Sequence, residues 1–163
     1  DGNGRLGRFL IVLTLLSSGV LSEPTLTVSP WLEERRAEYY DALLRVSTHG
    51  DWDTFLAFFS QGLAAAATST RHQMLALAAA HQSLKETVRA SSLRSAHALD
   101  LVDFAVANPS FTVRKAEAAL GVSYGRANSL VGQLTDIGVL DVVERGSQPR
   151  RFTAPAVLKV LLA

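Results

Sequence analysis

The sequence contains no cysteine among its 163 residues. This absence excludes a disulfide scaffold, a cysteine-based zinc site and a thiol nucleophile. Proteins of the reducing cytosol rarely depend on disulfides, so the composition agrees with a cytoplasmic location.

The sequence also lacks an apolar run long enough to cross a membrane. Its most apolar segment begins at Phe9, is interrupted at Thr14 and resumes only to Leu16, whereas a membrane span needs about 20 predominantly apolar residues. We therefore expect no membrane association. A secretory signal peptide is the alternative for this segment, but the chain does not begin with Met and its first residues are unusually rich in Gly and Asn for such a peptide.

An excess of charge of either sign is missing as well. Sixteen Lys and Arg stand against 15 Asp and Glu, which gives a net charge of +1. Binding to nucleic acid would therefore need a local basic patch rather than an overall field. Hydrophobic residues make up 48% of the chain, which is typical of a globular protein of one ordinary domain or two small ones.

The chain opens with the residues DGNGRLGR, followed by an apolar segment. The two glycines around Asn3 allow a turn whose N–H groups converge and bind an anion. After this turn we expect a helix from Leu6 to about Leu21, whose N-terminal end adds further free N–H groups and a favourable dipole.

Charged side chains accompany the expected turn. Arg5 and Arg8 are three residues apart and would share one helix face, where two guanidinium groups bind phosphates well. The carboxylate of Asp1 would suit a Mg²⁺ ion that neutralises the phosphates. These residues indicate a site for a magnesium-bound polyphosphate.

The string Asp-Gly-Asn-Gly-Arg-x-x-Arg resembles the second half of the signature of Fic proteins, His-Pro-Phe-x-Asp/Glu-Gly-Asn-Gly-Arg-x-x-Arg. All fixed positions after the first four match. Residues 32–43, LEERRAEYYDAL, are similar to the segment that follows the motif helix in that family. The resemblance implies a mainly α fold and a protein adenylyltransferase, which moves AMP from ATP, with Mg²⁺, to a hydroxyl side chain of a target protein.

The resemblance also assigns roles to individual residues. Asp1 would hold Mg²⁺, and Arg8 would contact the γ-phosphate or an inhibitory Glu. The other residues that it places at the nucleotide are Gly2, Asn3, Gly4, Arg5, Tyr39 and Tyr40. Ser47 departs from the pattern, because some relatives carry Asn there, near the nucleotide.

The catalytic base of the signature is a His four residues before its Asp, and the sequence begins at that Asp. The four histidines of the chain lie too far along to replace it: His49, His72, His81 and His97. We therefore expect the chain to be the C-terminal part of a Fic protein and to be inactive alone, because a positioned base contributes about 10²–10⁴-fold in rate.

Helical periodicity continues through the middle of the sequence. One helix is expected to end at Gly50, and a later one to continue past Gly62 to about Ala90. The apolar residues after Gly50 are expected in the core: Trp52, Phe55, Leu56, Phe58 and Phe59. We expect three parts, namely a Fic-like part at 1–62, a connecting helix at 63–92 and a separate domain at 93–163.

Residues 93–163 predict three helices followed by a β-hairpin and a last short helix. The second helix is expected at 111–120 and the third at 123–137, each ended by a glycine, and the hairpin tip at 146–149. The string AALGVSYGRANSLVGQLTDIGVL is similar to bacterial winged-helix regulators. The similarity implies a winged helix-turn-helix domain in this part.

In such domains the helix after the turn enters the major groove of DNA. The candidate DNA contacts on this helix and on the hairpin are Tyr124, Arg126, Asn128, Arg145, Arg150 and Arg151. From residue 111 onward seven basic side chains stand against four acidic ones, which is a modest basic patch. The alternative function is thus a DNA-binding transcription regulator whose N-terminal half senses a nucleotide or forms a homodimer. A winged helix used only for packing or dimerisation stays open too.

Overall fold

The computed structural model describes residues 3–143 and 149–162. In this part the chain is mainly α-helical, as predicted, with eight helices and three short strands. The chain divides into two compact units, Asp1–His72 (unit 1) and Gln73–Ala163 (unit 2), and the division falls inside the longest helix. Over the described residues, no helix combines the length and the apolar character that a membrane crossing requires.

Unit 1 contains three helices and the first half of a fourth. They are α1 (Asn3–Ser17), α2 (Ser29–Glu34), α3 (Arg36–His49) and α4 (Trp52–Ala90). The start of α3 is set by the bend at Arg35, and its end by Gly50, which takes the left-handed conformation (φ 67°) and donates its N–H to the last turn. Asp51 then accepts a hydrogen bond from the Thr54 N–H and begins α4. The predicted helix end at Gly50 is therefore confirmed.

The predicted bounds of α1 were wrong at both ends. The helix begins at Asn3 rather than at Leu6, and Gly4 has no positive φ, so no separate turn precedes Arg5. Gly4 thus adopts an ordinary helical backbone inside the first turn of α1. The helix stops at Ser17 because the next glycine, Gly19, takes a positive φ of 73°.

The core of unit 1 is small. Its buried members are Leu26, Val28, Leu32 and Ala66, with Trp31 and Phe58 packed beside them. The prediction that all five apolar residues after Gly50 are core was wrong for Trp52 and Leu56, which are more than half exposed.

A close contact fixes α2 against α4 within unit 1. Gly62 is buried, and a Cβ built on it would lie 2.7 Å from the Trp31 ring. The ring itself lies 4.8 Å from the Phe58 ring. A side chain at this position would therefore displace the indole from the small core.

We predict that Gly62→Ala lowers the free energy of unfolding by about 1–3 kcal/mol, because overpacking outweighs the gain in helix propensity. Gly7→Ala is the matched control, since a Cβ on Gly7 meets nothing within 4 Å, and it should be neutral or stabilising. Urea unfolding followed by tryptophan fluorescence measures both. Equal stability of the two variants would contradict the packing argument.

Unit 2 joins five helical segments to a small sheet. After the end of α4 come α5 (His97–Ala107), β1 (Phe111–Thr112), α6 (Val113–Leu120), α7 (Tyr124–Asp136), β2 (Asp141–Val142), β3 (Arg151–Thr153) and α8 (Pro155–Leu161). The sheet has the order β1-β3-β2, and both strand pairs are antiparallel. Phe152 lies opposite Phe111 on one side and Val142 on the other.

Side-chain caps and a continuous apolar core define the helices of unit 2. The hydroxyls of Thr112 and Ser123 accept hydrogen bonds from the first turns of α6 and α7, so these helices begin at Val113 and Tyr124. The predicted start of the third helix at 123 therefore holds to within one residue, and the predicted start of the second helix at 111 was wrong. Leu101, Leu130 and Leu134 are fully buried. Phe111 was predicted in the second helix but belongs to β1, because its ring is buried in this core and its backbone pairs with β3.

An ion-pair cluster joins α4 to α5 within unit 2. The Asp103 carboxylate accepts hydrogen bonds from Lys85 (2.6 Å) and His81. The Lys85 bond is the main cause that lowers the pKa of Asp103 below its ordinary value, with His81 adding to it. A carboxyl with a lowered pKa stabilises the fold while it is ionised, and loses this contribution as the pH falls through its folded pKa.

We predict that Asp103→Asn lowers the free energy of unfolding at neutral pH by about 1 kcal/mol or less, because the cluster is half exposed and screened. The difference from the wild type should shrink once the pH falls below about 4, the ordinary range of the carboxyl pKa. Denaturant unfolding at several pH values measures this. Asp136→Asn, at the exposed last turn of α7, is the control, and a pH-independent loss in Asp103→Asn would contradict the ion-pair argument.

Candidate functional site

One cavity of unit 1, here the arginine pocket, has a volume of about 400 Å³. Its lining residues are Gly4, Arg5, Arg8, Leu32, Glu33, Arg36, Tyr39 and Tyr40. The volume lies in the range of small-molecule sites. Three guanidinium groups against one carboxylate give the lining of this pocket an excess of positive charge.

Helical spacing explains why these side chains meet. Arg5 and Arg8 are three apart on α1, and Arg36 and Tyr40 are four apart on α3, so each pair occupies one helix face. Between these helices, α2 adds Glu33 beside the buried Leu32. The first turn of α1 also contributes Gly4 to the lining, and the free N–H groups of that turn favour a negative charge nearby.

Arg8 is the most enclosed of the three arginines. Its Nε is buried and finds no hydrogen-bond partner among the described residues. A buried donor without a partner costs free energy, more so when it carries charge. Because this atom is covered by protein, an acceptor reaches it only if the Arg8 side chain moves.

Arg36 is held by two neighbours. Its guanidinium lies 5.6 Å from the centre of the Tyr40 ring, and its Nη1 is 3.4 Å from Glu33 Oε1. Tyr40, and after it Glu33, raise the pKa of Arg36 above its ordinary value, so the group stays charged. The long ion pair is exposed and therefore weak.

The tyrosine pair has two different environments. Tyr39 is half-buried, packs against the small core and lies 6.3 Å from the stacked ring of Phe58. Tyr40 is 53% exposed. The default expectation that a tyrosine at helical spacing belongs to the core thus fits Tyr39 and not Tyr40.

Of the other predicted residues of this site, only Asn3 belongs to the described part of the chain. Asn3 is exposed at the start of α1 and is not a lining residue, and Asp1 and Gly2 lie outside the described residues. The Ser47 hydroxyl bonds back to the Leu43 carbonyl. Within residues 3–143 and 149–162, no group of three or more acidic or histidine side chains forms a metal site.

Three lining residues of the arginine pocket were not predicted from the sequence: Leu32, Glu33 and Arg36. The run of charges that contains Glu33 and Arg36 is most simply interpreted from the sequence as a solvated face of a helix. Both are exposed, yet both line the cavity. The available signal was the spacing of four between Arg36 and Tyr40, which places a cation over a ring.

A second cleft lies in unit 2 and is called here the α7 cleft. It has a volume of about 200 Å³ and is lined by Thr112, Val113, Arg114, Tyr124, Pro149 and Arg150. Arg114 lies 4.5 Å from the centre of the Tyr124 ring. Arg114 was not among the predicted contacts, although it is exposed in the first turn of α6.

Three of the predicted DNA contacts, Tyr124, Arg126 and Asn128, belong to α7, and Arg150 contacts Asn128. Arg126 is exposed and donates to the Ser95 hydroxyl at 3.1 Å. Arg150 Nη2 donates to Asn128 Oδ1 at 3.4 Å, and its guanidinium lies 5.8 Å from the Phe152 ring. Arg151 is exposed on β3. Arg145, and most of the predicted hairpin tip, lie outside the described residues.

No protein-family model matches the sequence. The function is therefore argued from the arginine pocket, the α7 cleft and the short motif at the start of the chain.

Proposed function

We propose that the arginine pocket binds ATP with Mg²⁺, and that the chain belongs to a Fic-type protein adenylyltransferase. One observation carries the proposal. Five residues that the motif resemblance assigns to the nucleotide, from two distant stretches of sequence, line a single cavity: Gly4, Arg5, Arg8, Tyr39 and Tyr40.

The charge of the pocket supports this ligand. Three arginines against Glu33 leave an excess of positive charge in the lining, and guanidinium groups form strong charge-assisted hydrogen bonds to phosphate oxygens. The buried Nε of Arg8 adds a donor that needs an acceptor. Tyr40, more than half exposed at the rim of the same cavity, offers a ring for contact with the nucleoside.

The reaction would transfer AMP to a protein hydroxyl. The hydroxyl oxygen forms a bond to the α-phosphorus, the bond between the α-phosphorus and its bridging oxygen breaks, and pyrophosphate leaves. The hydroxyl proton passes to the His that the motif has four residues before its Asp. Arg5, Arg8 and the N–H groups of the first turn of α1 stabilise the charge on the phosphate oxygens. Mg²⁺ held by Asp1 would neutralise part of that charge.

We predict that Arg8→Ala weakens ATP binding about 10–100-fold, because a hydrogen bond to a charged group contributes about 1.5–3 kcal/mol. Titration calorimetry with Mg-ATP measures the affinity. Arg71→Ala removes an exposed arginine of α4 in the same unit and should leave the affinity unchanged.

Arg8 is partly buried, so thermal unfolding of the variant accompanies the titration. The conservative variant Arg8→Lys should fold normally and bind with intermediate affinity, since lysine keeps the charge and loses the planar fork. Wild-type affinity in folded Arg8→Ala would contradict the assignment of this pocket.

A second candidate function, DNA binding by unit 2, is favoured by the arginines around the start of α7. Arg114 contacts Tyr124, Arg126 lies in the first turn of α7, and Arg150 contacts Asn128. The order β1-α6-α7-β2-β3 with an antiparallel sheet supports a winged-helix arrangement, in which the helix after the turn lies in the major groove. The three cations would then contact phosphates and fix the helix there.

We predict that Arg114→Ala weakens binding to duplex DNA of any sequence. The slope of log K against the logarithm of the salt concentration should become smaller in magnitude by about one. Fluorescence anisotropy with a labelled duplex at several salt concentrations measures both. Lys159→Ala, an exposed cation on α8, is the control. Equal salt slopes for both variants would exclude a phosphate contact by Arg114, and no binding of the wild type at low salt would exclude this function.

A further inference from the structure

Arg36 stands apart from the other two arginines of the arginine pocket. It belongs to α3, 28 positions after Arg8, and it lies outside the glycine-rich string that indicated a phosphate site. Its side chain is 63% exposed, yet it lines the same cavity as Arg5 and Arg8. The cavity therefore has cations on two of its helices.

The contacts of Arg36 do not use all five N–H donors of its guanidinium. Tyr40 lies with its ring centre 5.6 Å from the guanidinium carbon and orients the planar group. The single ion-pair contact with Glu33 is long at 3.4 Å and exposed. A phosphate oxygen would compete well for these donors, because bidentate guanidinium–phosphate contacts are stronger than an exposed side-chain pair.

From this geometry we infer that Arg36 is a third phosphate-binding residue, and that the ligand of the arginine pocket is a polyphosphate contacted from α1 and α3 together. A chain of phosphates extends over several oxygen-bearing groups, so it can meet Arg5 and Arg8 on one helix and Arg36 on the other. A single phosphate offers fewer oxygens to these three cations. The inference deepens the proposed ATP site, but its test does not require a nucleotide.

The test is titration calorimetry of the wild type, Arg36→Ala and Arg36→Lys with inorganic tripolyphosphate, ATP and AMP. Arg36→Ala should weaken binding of tripolyphosphate and ATP about tenfold, with a smaller effect on AMP. Arg36→Lys should lie between, because lysine keeps the charge without the fork. Arg45→Ala is the matched control: this arginine is on the same helix, equally exposed and paired with Asp51, and it does not line the cavity.

The titrations with different ligands distinguish this inference from the proposed function. If tripolyphosphate binds through Arg36 and ATP does not bind, the polyphosphate site stands and the adenylyltransferase proposal fails. If ATP binds and Arg36→Ala behaves like Arg45→Ala, the nucleotide proposal stands and the role of Arg36 is overturned. No binding of either ligand to the wild type overturns both. Because Arg36 is exposed, its variants should unfold at the wild-type temperature, which circular dichroism checks.

Discussion

The excess of positive charge around one cavity is the constraint on which the proposed site in unit 1 depends. Arg5, Arg8 and Arg36 share the lining of this cavity, and Glu33 is the one carboxylate among the described lining residues. Tyr40 and Glu33 contact the guanidinium of Arg36, while Arg8 Nε has no acceptor in the described structure. A ligand that binds the folded unit and not the unfolded chain stabilises the fold, so the proposed ATP binding should raise the stability of unit 1.

The two units differ in how their sites are supported. In unit 2, a continuous core that includes Leu101, Leu130 and Leu134 holds α5, α6 and α7, so the helix that carries Arg126 packs on a large core. Unit 1 buries only a few apolar side chains around Leu32, and α1 has no buried residue while Phe9 is 59% exposed. A site on such a small core depends on single contacts, and one of them is Trp31 against Gly62, where there is no room for a Cβ.

Local signals made much of this fold predictable from the sequence. Gly50 ends a helix through its backbone conformation, and Thr112 and Ser123 begin helices as N-caps. Such local effects depend on neighbouring residues only, so they can be predicted from the sequence. The start of α1 and the strand at Phe111 were not predictable in this way. Gly4 adopts an ordinary helical backbone, and Phe111 joins a strand because of a partner more than 40 positions away.

The candidate site was predictable only in part, for the same reason. Arg5, Arg8 and the tyrosine pair could be predicted as site residues, because each belongs to a short stretch of sequence that resembles a family motif. That these residues share a cavity with Arg36 is a property of the tertiary packing of α1, α2 and α3.

The most direct test of the claim that the arginine pocket binds ATP is photolabelling with azido-ATP in the presence of Mg²⁺, followed by mass-spectrometric mapping of the adducts. Adducts at Tyr39, Tyr40 or neighbouring residues of α3, suppressed by excess ATP, are the predicted result. Suppressible adducts confined to residues 73–163, or no suppressible adducts at all, would contradict it.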